Sequence, residues 1–393
     1  MKPPRVAYIG CVPVERSYHG SLLLYRLLQT LPPGGLSVVE GYLGPSRPDR
    51  RLPGVDYRAL TRRMPRLRST RFAGLFDRVL WRWSKLDALR LPRKLAPFQP
   101  QAVVTVAHGH GWRVAAAYAA RRKLPLHMIV HDDWPSIAAR ADLNQERVGR
   151  AFAEVYKAAA SRLCVSPAMA EVYRARYGVA GTVLYPCRAP RAERTQRPAR
   201  LASQPFTLAF AGSVNTPGYA AALRAAADAV AAVGGRLRLY GPLTSSQAAQ
   251  IGLARAAVDI AGLVDSDALL AELAQHADAL FLPMSFVEAD AVNMQLAFPS
   301  KLTDYTAAGL PLLIFGPAYC SAARWAREND GVCELVTLQG GSGLQDAVAR
   351  LAQNPVRRAA LAQAAMRAGD RDFSHAAAAA IFLGALAAGG ASR

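Results

Sequence analysis

Lys301 and Asp304 stand three residues apart in the stretch Phe298–Leu313, which opens Phe-Pro-Ser-Lys and closes Gly-Leu-Pro-Leu-Leu. An i,i+3 pair shares one face of a helix. Pro299 fits the first helical turn, where its missing N–H costs nothing, and Ser300 can help cap it. Lys301 then sits where free N–H groups already favour an anion. Gly309 and Pro311 end the helix ahead of a buried strand. A lysine in that position suits a diphosphate, and a nearby carboxylate suits sugar or ribose hydroxyls. Spacing alone fits equally well an ordinary capped helix with an internal salt bridge.

A second polar group, His131-Asp132-Asp133-Trp134, closes the apolar stretch Leu126–Val130. Side chains at the carboxyl end of a parallel strand belong where such sheets bind ligands. A loop of solvated acids with a capping role reads the same way. His108 and His110, in His-Gly-His-Gly-Trp, follow the strand-like run Val103–Ala107 and would line the same region. Two histidines without a third ligand at suitable spacing make a weak metal site, so no metal is expected. The first strand-to-helix loop, Gly10 to Gly20, lacks Gly-x-Gly-x-x-Gly, which removes the dinucleotide fingerprint.

These residues need a scaffold, and the chain supplies a rhythm for one. Apolar, β-branched runs at Arg5–Ile9, Val38–Leu43, Ala102–Ala107, His127–His131, Arg162–Val165 and Thr182–Tyr185 are mostly separated by helical stretches. The pattern returns at Phe206–Ala211, Arg236–Tyr240, Val258–Ala261, Ala279–Leu282, Leu312–Phe315 and Val332–Val336. Alternation of this kind implies βαβ units and parallel sheets. Between the two series, Arg188–Pro205 holds three prolines and five arginines with no hydrophobic period, and reads as a linker. The expected fold is therefore α/β, with two Rossmann-like doubly wound domains and a cleft between them. Expected boundaries are 1–190, a linker at 191–205, 206–372, and a terminal segment at 373–393.

At 393 residues with 52% hydrophobic content, the chain can bury two cores and is neither disordered nor fibrous. Its charge is uneven. Residues 1–200 carry 35 basic and 13 acidic side chains, whereas 201–393 carry 13 and 15. A basic first half points to phosphate, an anionic membrane or nucleic acid, though no nucleic-acid module accompanies the charge. Five scattered cysteines without Cys-x-x-Cys argue against a disulfide scaffold or a zinc site. The start is a poor signal peptide, and the apolar run Ala376–Ala391 reads as too short and too alanine-rich for a membrane span. Residues 47–94 hold 15 basic and 4 acidic side chains. Within them Phe72, Leu75, Phe76, Val79, Trp83 and Leu86 recur at helical spacing, with Arg78, Arg82 and Lys85 on other faces. That pattern fits an amphipathic helix at a membrane interface, or a surface helix packed on its own domain.

The stretch around Lys301 resembles the donor-site segment of GT-B fold glycosyltransferases, in particular glycosyltransferase family 4 (group 1). Asp304, five residues before Gly309, falls where that family has the second Glu of its Glu-x7-Glu motif, which binds the nucleotide ribose. Pro299-Ser300-Lys301 is similar to a Pro-x-Lys found in many members. The resemblance continues in Phe206–Ser213, Arg238–Gly241, Asp259–Val264, His276–Glu288, Ser166–Gly178 with Val183–Pro186, and Phe373–Phe382, and it implies that 373–393 is a C-terminal crossover helix packing back on the first domain. It implies a donor site of Gly212, Ser213, Gly262, Leu263, Val264, Glu288, Pro299, Ser300, Lys301 and Asp304. It sets His131 beside the donor sugar and His19-Gly20 at the family's paired glycines, with His108 and His110 lining the acceptor side. Two departures stand out. Ser213 replaces the usual Arg after Gly212, with no Lys or Arg until Arg224, and 15 residues rather than seven separate Glu288 from Asp304. Diphosphate neutralisation is then expected from Lys301, from backbone N–H groups near Gly212, or from an arginine of the other domain.

The resemblance implies transfer of a sugar from a nucleoside-diphosphate sugar, UDP- or GDP-linked, to an acceptor hydroxyl, with retention, in cell-surface glycan or glycoconjugate synthesis. Lys301, His131 and Asp132 are the expected catalytic residues, the last two together with His108 and His110 being candidates for a general base. No cofactor is expected. The expected partners are a glycan, lipid-linked or other anionic acceptor and an anionic membrane surface, not nucleic acid. The expected location is the cytoplasm, or the periphery of the membrane's inner face. A catalytically idle scaffold of the same fold and a nucleotide-sugar 2-epimerase are the alternative readings.

Overall fold

A computed structural model describes residues 3–17, 19–41, 46–60, 73–140, 144–190, 204–214, 216–265 and 268–391. The chain divides into two compact units, Met1–Pro186 with His375–Arg393, and Cys187–Ser374.

The first unit contains a seven-stranded sheet in the order β3-β2-β1-β4-β5-β6-β7, with every pairing parallel. The strands are β1 Val6–Gly10, β2 Leu36–Glu40, β3 Asp56–Ala59, β4 Ala102–Val106, β5 Leu126–Val130, β6 Ser161–Cys164 and β7 Thr182–Val183. β1, β2, β4 and β5 are buried at every residue, as strands covered on both faces must be. β3 has no counterpart among the expected strands. Its sequence, Asp-Tyr-Arg-Ala, lies on the sheet edge with half-exposed side chains, so it carries no apolar run to read.

The terminal helix His375–Ala391 belongs to this first unit and packs on the helix His19–Leu28 and on β5 and β6. Ala378, Phe382 and Leu386 are its buried face. Gly389 lies so close to β5 that a β-carbon there would stand 2.6 Å from Cε1 of His127. By length and composition alone, the segment Pro355–Gly389 is apolar enough to cross a membrane. It is divided at Ser374 between two helices, Pro355–Asp372 and His375–Ala391, that belong to different units.

The second unit contains a six-stranded parallel sheet in the order β10-β9-β8-β11-β12-β13. Its strands are β8 Thr207–Ala211, β9 Arg236–Tyr240, β10 Val258–Gly262, β11 Ala279–Pro283, β12 Leu312–Phe315 and β13 Cys333–Val336. In both units the strand order reverses beside the first strand, between β1 and β4 and between β8 and β11. That crevice, beyond the carboxyl ends of the strands, is where open α/β sheets bind ligands. The linker reading of 191–205 falls largely on residues outside those described.

The basic segment forms the helix Ala73–Ala88. Phe72 lies outside the described residues, as do the side chains of Leu75 and Phe76. Trp81 turns inward, edge-on to Trp112 with ring centres 5.6 Å apart, and Arg113 lies over its ring. Trp83 and Leu86 face outward, 57% and 58% exposed, beside exposed Arg78, Arg82 and Lys85.

Candidate functional site

In the second unit, the carboxyl end of β8 runs into Gly212. Lys301, second residue of the helix Ser300–Tyr305, lays its side chain across that glycine. A β-carbon on Gly212 would stand 2.0 Å from Lys301 Cε and 2.8 Å from Nζ. The ammonium lies 5.4 Å from the centre of the Phe210 ring and 5.8 Å from that of Tyr219. Among the described residues no carboxylate pairs with it, Asp304 included, so the internal salt bridge that the spacing also allowed is not formed. Burial pushes the lysine down to about 8. At neutral pH it is therefore a cation whose solvation is incomplete and which pairs with no carboxylate among the described residues.

The neighbouring elements hold this arrangement in place. The Tyr305 hydroxyl accepts the Ala211 N–H at 2.7 Å, fastening the lysine helix to the end of β8. Tyr219 belongs to the first turn of the 15-residue helix Pro217–Ala231, capped by the Thr216 hydroxyl on the Tyr219 N–H. The lysine thus lies near a helix start, whose dipole favours an anion. Pro299 is the cap residue of the lysine helix and Ser300 its first residue, with no side-chain cap on the helix N–H groups. The expected capping by Ser300 is therefore absent.

Three glycines follow the ends of β8 and β9 and close β10. Gly212 donates to Tyr240 O at 2.8 Å, and Gly241 donates to Gly262 O at 2.8 Å. A β-carbon on Gly241 would meet Gly212 O at 2.3 Å, so the backbones approach in a way no larger residue allows. The result is a floor without side chains that runs from Lys301 toward exposed Leu263 and half-buried Val264. Because Gly212 N–H is committed to the sheet, this particular amide is not available to neutralise phosphate.

Glu288 opens the exposed turn Glu288–Asp290. Ser285, fully buried after β11, fixes this turn by donating to Asp290 at 2.8 Å and accepting the Val287 N–H at 3.2 Å. Ser285 lies in the His276–Glu288 run that resembles the family, whereas Tyr219 carries no spacing signal and comes near Lys301 through tertiary contact alone.

In the first unit, the turn His108–Gly111 packs on the end of β1. A β-carbon on Gly111 would stand 2.7 Å from Cys11 N. The Gly111 N–H donates to Cys11 Sγ at 3.1 Å, and His110 Nδ1 lies 3.7 Å from the same sulfur. His110 is thus buried against Cys11, while half-buried His108 packs on Trp134 with ring centres 4.8 Å apart and planes tilted by 51°. His131 reaches the same region, its Nδ1 being 3.7 Å from where a β-carbon on Gly20 would stand. Burial, helped by the nearby His108, pushes His131 down to about 4, so its imidazole is neutral at pH 7. The side chain of His19 lies outside those described.

The two acids beside His131 differ. Asp133 is enclosed, accepting from Tyr173 at 2.7 Å, from Arg176 at 3.3 Å and from the Ser136 hydroxyl. Those bonds anchor the loop to the helix Pro167–Tyr177, so Asp133 is a structural acid. Burial and the Asp133 charge raise the Asp132 carboxyl above its ordinary value. Neither is a freely solvated loop acid. Among the described residues, no three His, Cys, Asp or Glu side chains group as a metal site.

Residues 13–187 match the family model Glycosyltransferase Family 4, bearing out the resemblance seen in the sequence. No curated protein matches the chain. Among solved structures, Anabaena Alr3699/HepE, determined in complex with UDP and glucose, is similar at a TM-score of 0.70 and 13% identity, covering 98% of this chain and 99% of its own. The sucrose-phosphate synthase of Thermosynechococcus elongatus is similar at 0.71 and 15%, covering 97% and 98%. WaaG, a glycosyltransferase involved in lipopolysaccharide biosynthesis, is similar at 0.62 and 14%, covering 96% and 99%. The chain has the GT-B fold.

Proposed function

Starting from a GT-B chain whose first half matches glycosyltransferase family 4, we propose that this protein transfers a sugar from a nucleoside-diphosphate sugar to an acceptor hydroxyl. The observation that carries the reading is Lys301: a buried cation, unpaired with any carboxylate among the described residues and laid over the strand-end glycine Gly212. The diphosphate of the donor supplies the counter-charge. The nucleotide base lies along Gly262, Leu263 and Val264, and Asp304 binds the ribose hydroxyls. UDP is the first nucleotide to test, because HepE is described with UDP and with UDP-glucose.

In the reaction the bond between the anomeric carbon and the diphosphate oxygen breaks, and the acceptor oxygen bonds to that carbon. Negative charge collects on the departing diphosphate, and a partly desolvated lysine stabilises it more than a solvated one. With retention, the acceptor attacks from the face the diphosphate leaves, and its proton passes to the departing phosphate oxygen. Neutral His131 can accept a hydrogen bond from the reacting hydroxyl. Asp132, raised by burial and the Asp133 charge above its ordinary value, completes this polar group. No resident cofactor takes part.

The acceptor side belongs to the first unit, whose excess basic charge suits an anionic glycan or lipid-linked acceptor. Trp83, Leu86 and Leu89 are exposed on or just after the helix Ala73–Ala88, among Arg78, Arg82, Lys85 and Arg90. Apolar and basic side chains on one open face support peripheral attachment to an anionic bilayer. The assay is release of UDP from a UDP-sugar in the presence of cell-envelope glycolipid acceptors. Nucleotide binding without any release, across UDP- and GDP-sugars, would favour the idle scaffold.

A further inference from the structure

Arg188 belongs to a stretch that reads as linker, yet it is only 6% exposed. It is the second residue of the unit Cys187–Ser374. Its N–H donates to Phe373 O at 2.9 Å. The segment that enters this unit is thereby joined to the segment that leaves it. Its guanidinium then reaches the helix that carries Lys301 and Asp304. Nη2 donates to Thr306 O at 2.7 Å and Nε to Thr303 O at 3.3 Å, while Nη1 pairs with the Asp370 carboxylate. A further bond runs from Nη2 to Met366 O at 3.5 Å. Gly369 makes room for this: a β-carbon there would stand 1.9 Å from Nη2 and 2.3 Å from Thr306 Oγ1.

The lysine helix spans six residues, too short to hold its place by intrinsic helix stability. Its location is set from outside, by Tyr305 against Ala211 and by Arg188 at its carboxyl end. A planar guanidinium serves several carbonyls and a carboxylate at once, which a lysine cannot do. We propose that Arg188 is a positioning residue for the donor site. It ties the Lys301–Asp304 helix to both connecting segments of the chain, so that nucleotide occupancy and the state of those segments are coupled. This rests on the reading of Lys301 as the diphosphate ligand. Coupling of this kind is reciprocal.

The test uses the full chain and has two parts. Calorimetric titration with UDP and with GDP compares the natural protein with Arg188→Lys and Arg188→Gln. Amide hydrogen exchange of residues 187–190 and 370–376 is followed with and without the nucleotide that binds. The expected results are a Kd raised about tenfold or more in Arg188→Gln, an intermediate rise in Arg188→Lys, and nucleotide-dependent slowing of exchange at the Arg188 amide. A residue that only supported the fold would not transmit that last signal. Unchanged Kd in both variants, or no slowing in the natural protein, overturns the coupling while the donor reading stands. If the glutamine variant does not fold, the lysine variant and the exchange data decide. Failure of the natural protein to bind either nucleotide overturns the donor reading and the coupling together.

Discussion

Lys301 occupies the space that a β-carbon on Gly212 would need: the two would be 2.0 Å apart at Lys301 Cε. Gly212 also holds φ at 150°, a conformation other residues rarely adopt. Gly212→Ala should therefore displace the lysine and weaken nucleotide binding by an order of magnitude or more. The rest of the second unit should keep its fold, as read by circular dichroism. An alanine variant that binds nucleotide as the natural protein does would show that the contact is incidental.

The protonation of Lys301 gives a second prediction. Burial lowers it in the folded chain, from 10.5 to about 8, so the folded state holds fewer protons than the unfolded state between those values. The buried ammonium costs stability below pH 8, and the cost is relieved as pH rises through 8 toward 10.5. Lys301→Met should thus be more stable than the natural protein at pH 7, with the difference shrinking above pH 8. Denaturant melts at pH 7 and pH 10 measure it. The same lysine should take up a proton when a diphosphate binds at pH 9, visible as a buffer-dependent binding enthalpy, and much less at pH 7.

His127 should set part of the acid limit of stability. It is fully buried on β5, with Nδ1 2.8 Å from the Ser161 hydroxyl and Nε2 without a hydrogen-bond partner among the described residues. Burial pushes it down to about 4. Its neutral form is the folded one, so stability falls as pH drops from about 6.5 to 4 and levels off below. A shift of that size corresponds to roughly 3 kcal/mol. His131 titrates in the same window, so His127→Gln should flatten the acid limb of a pH–stability curve by about half. An unaltered limb would remove His127 from the account.

The exposed face of Ala73–Ala88 gives a prediction about location. Trp83→Glu combined with Leu86→Glu should reduce sedimentation with vesicles containing anionic phospholipid, at unchanged nucleotide affinity. Each apolar side chain withdrawn from a bilayer interface forfeits burial energy, and each added acid opposes the lipid charge. Equal sedimentation of the variant and the natural protein would leave the face as ordinary surface.

Much of this architecture was legible because buried parallel strands are written as apolar runs. Arg236–Tyr240 and Leu312–Phe315 appear in the structure with the boundaries the runs imply. Others shift by a residue or two, as β1 does from Arg5–Ile9 to Val6–Gly10. The edge strand Asp56–Ala59 was not legible, since an edge strand need not be apolar. For the site, the pattern located Lys301 and Gly212 on the correct turns, but their contact spans 89 positions of sequence and is not encoded in spacing. Arg188 was hidden for the opposite reason. A proline- and arginine-rich context reads as solvated linker, and only the fold reveals the carbonyls that enclose one of its arginines.

The central claim is that the second unit holds a nucleoside diphosphate on Lys301. Its most direct test is calorimetric titration of UDP and GDP into the natural protein and into Lys301→Met, which keeps the side-chain volume and removes the charge. A hydrogen bond to a charged group contributes about 1.5–3 kcal/mol. The account predicts that one nucleotide binds the natural protein and binds the methionine variant roughly 10- to 100-fold more weakly. Equal affinity in the two proteins, or binding of neither nucleotide to the natural chain, would contradict it.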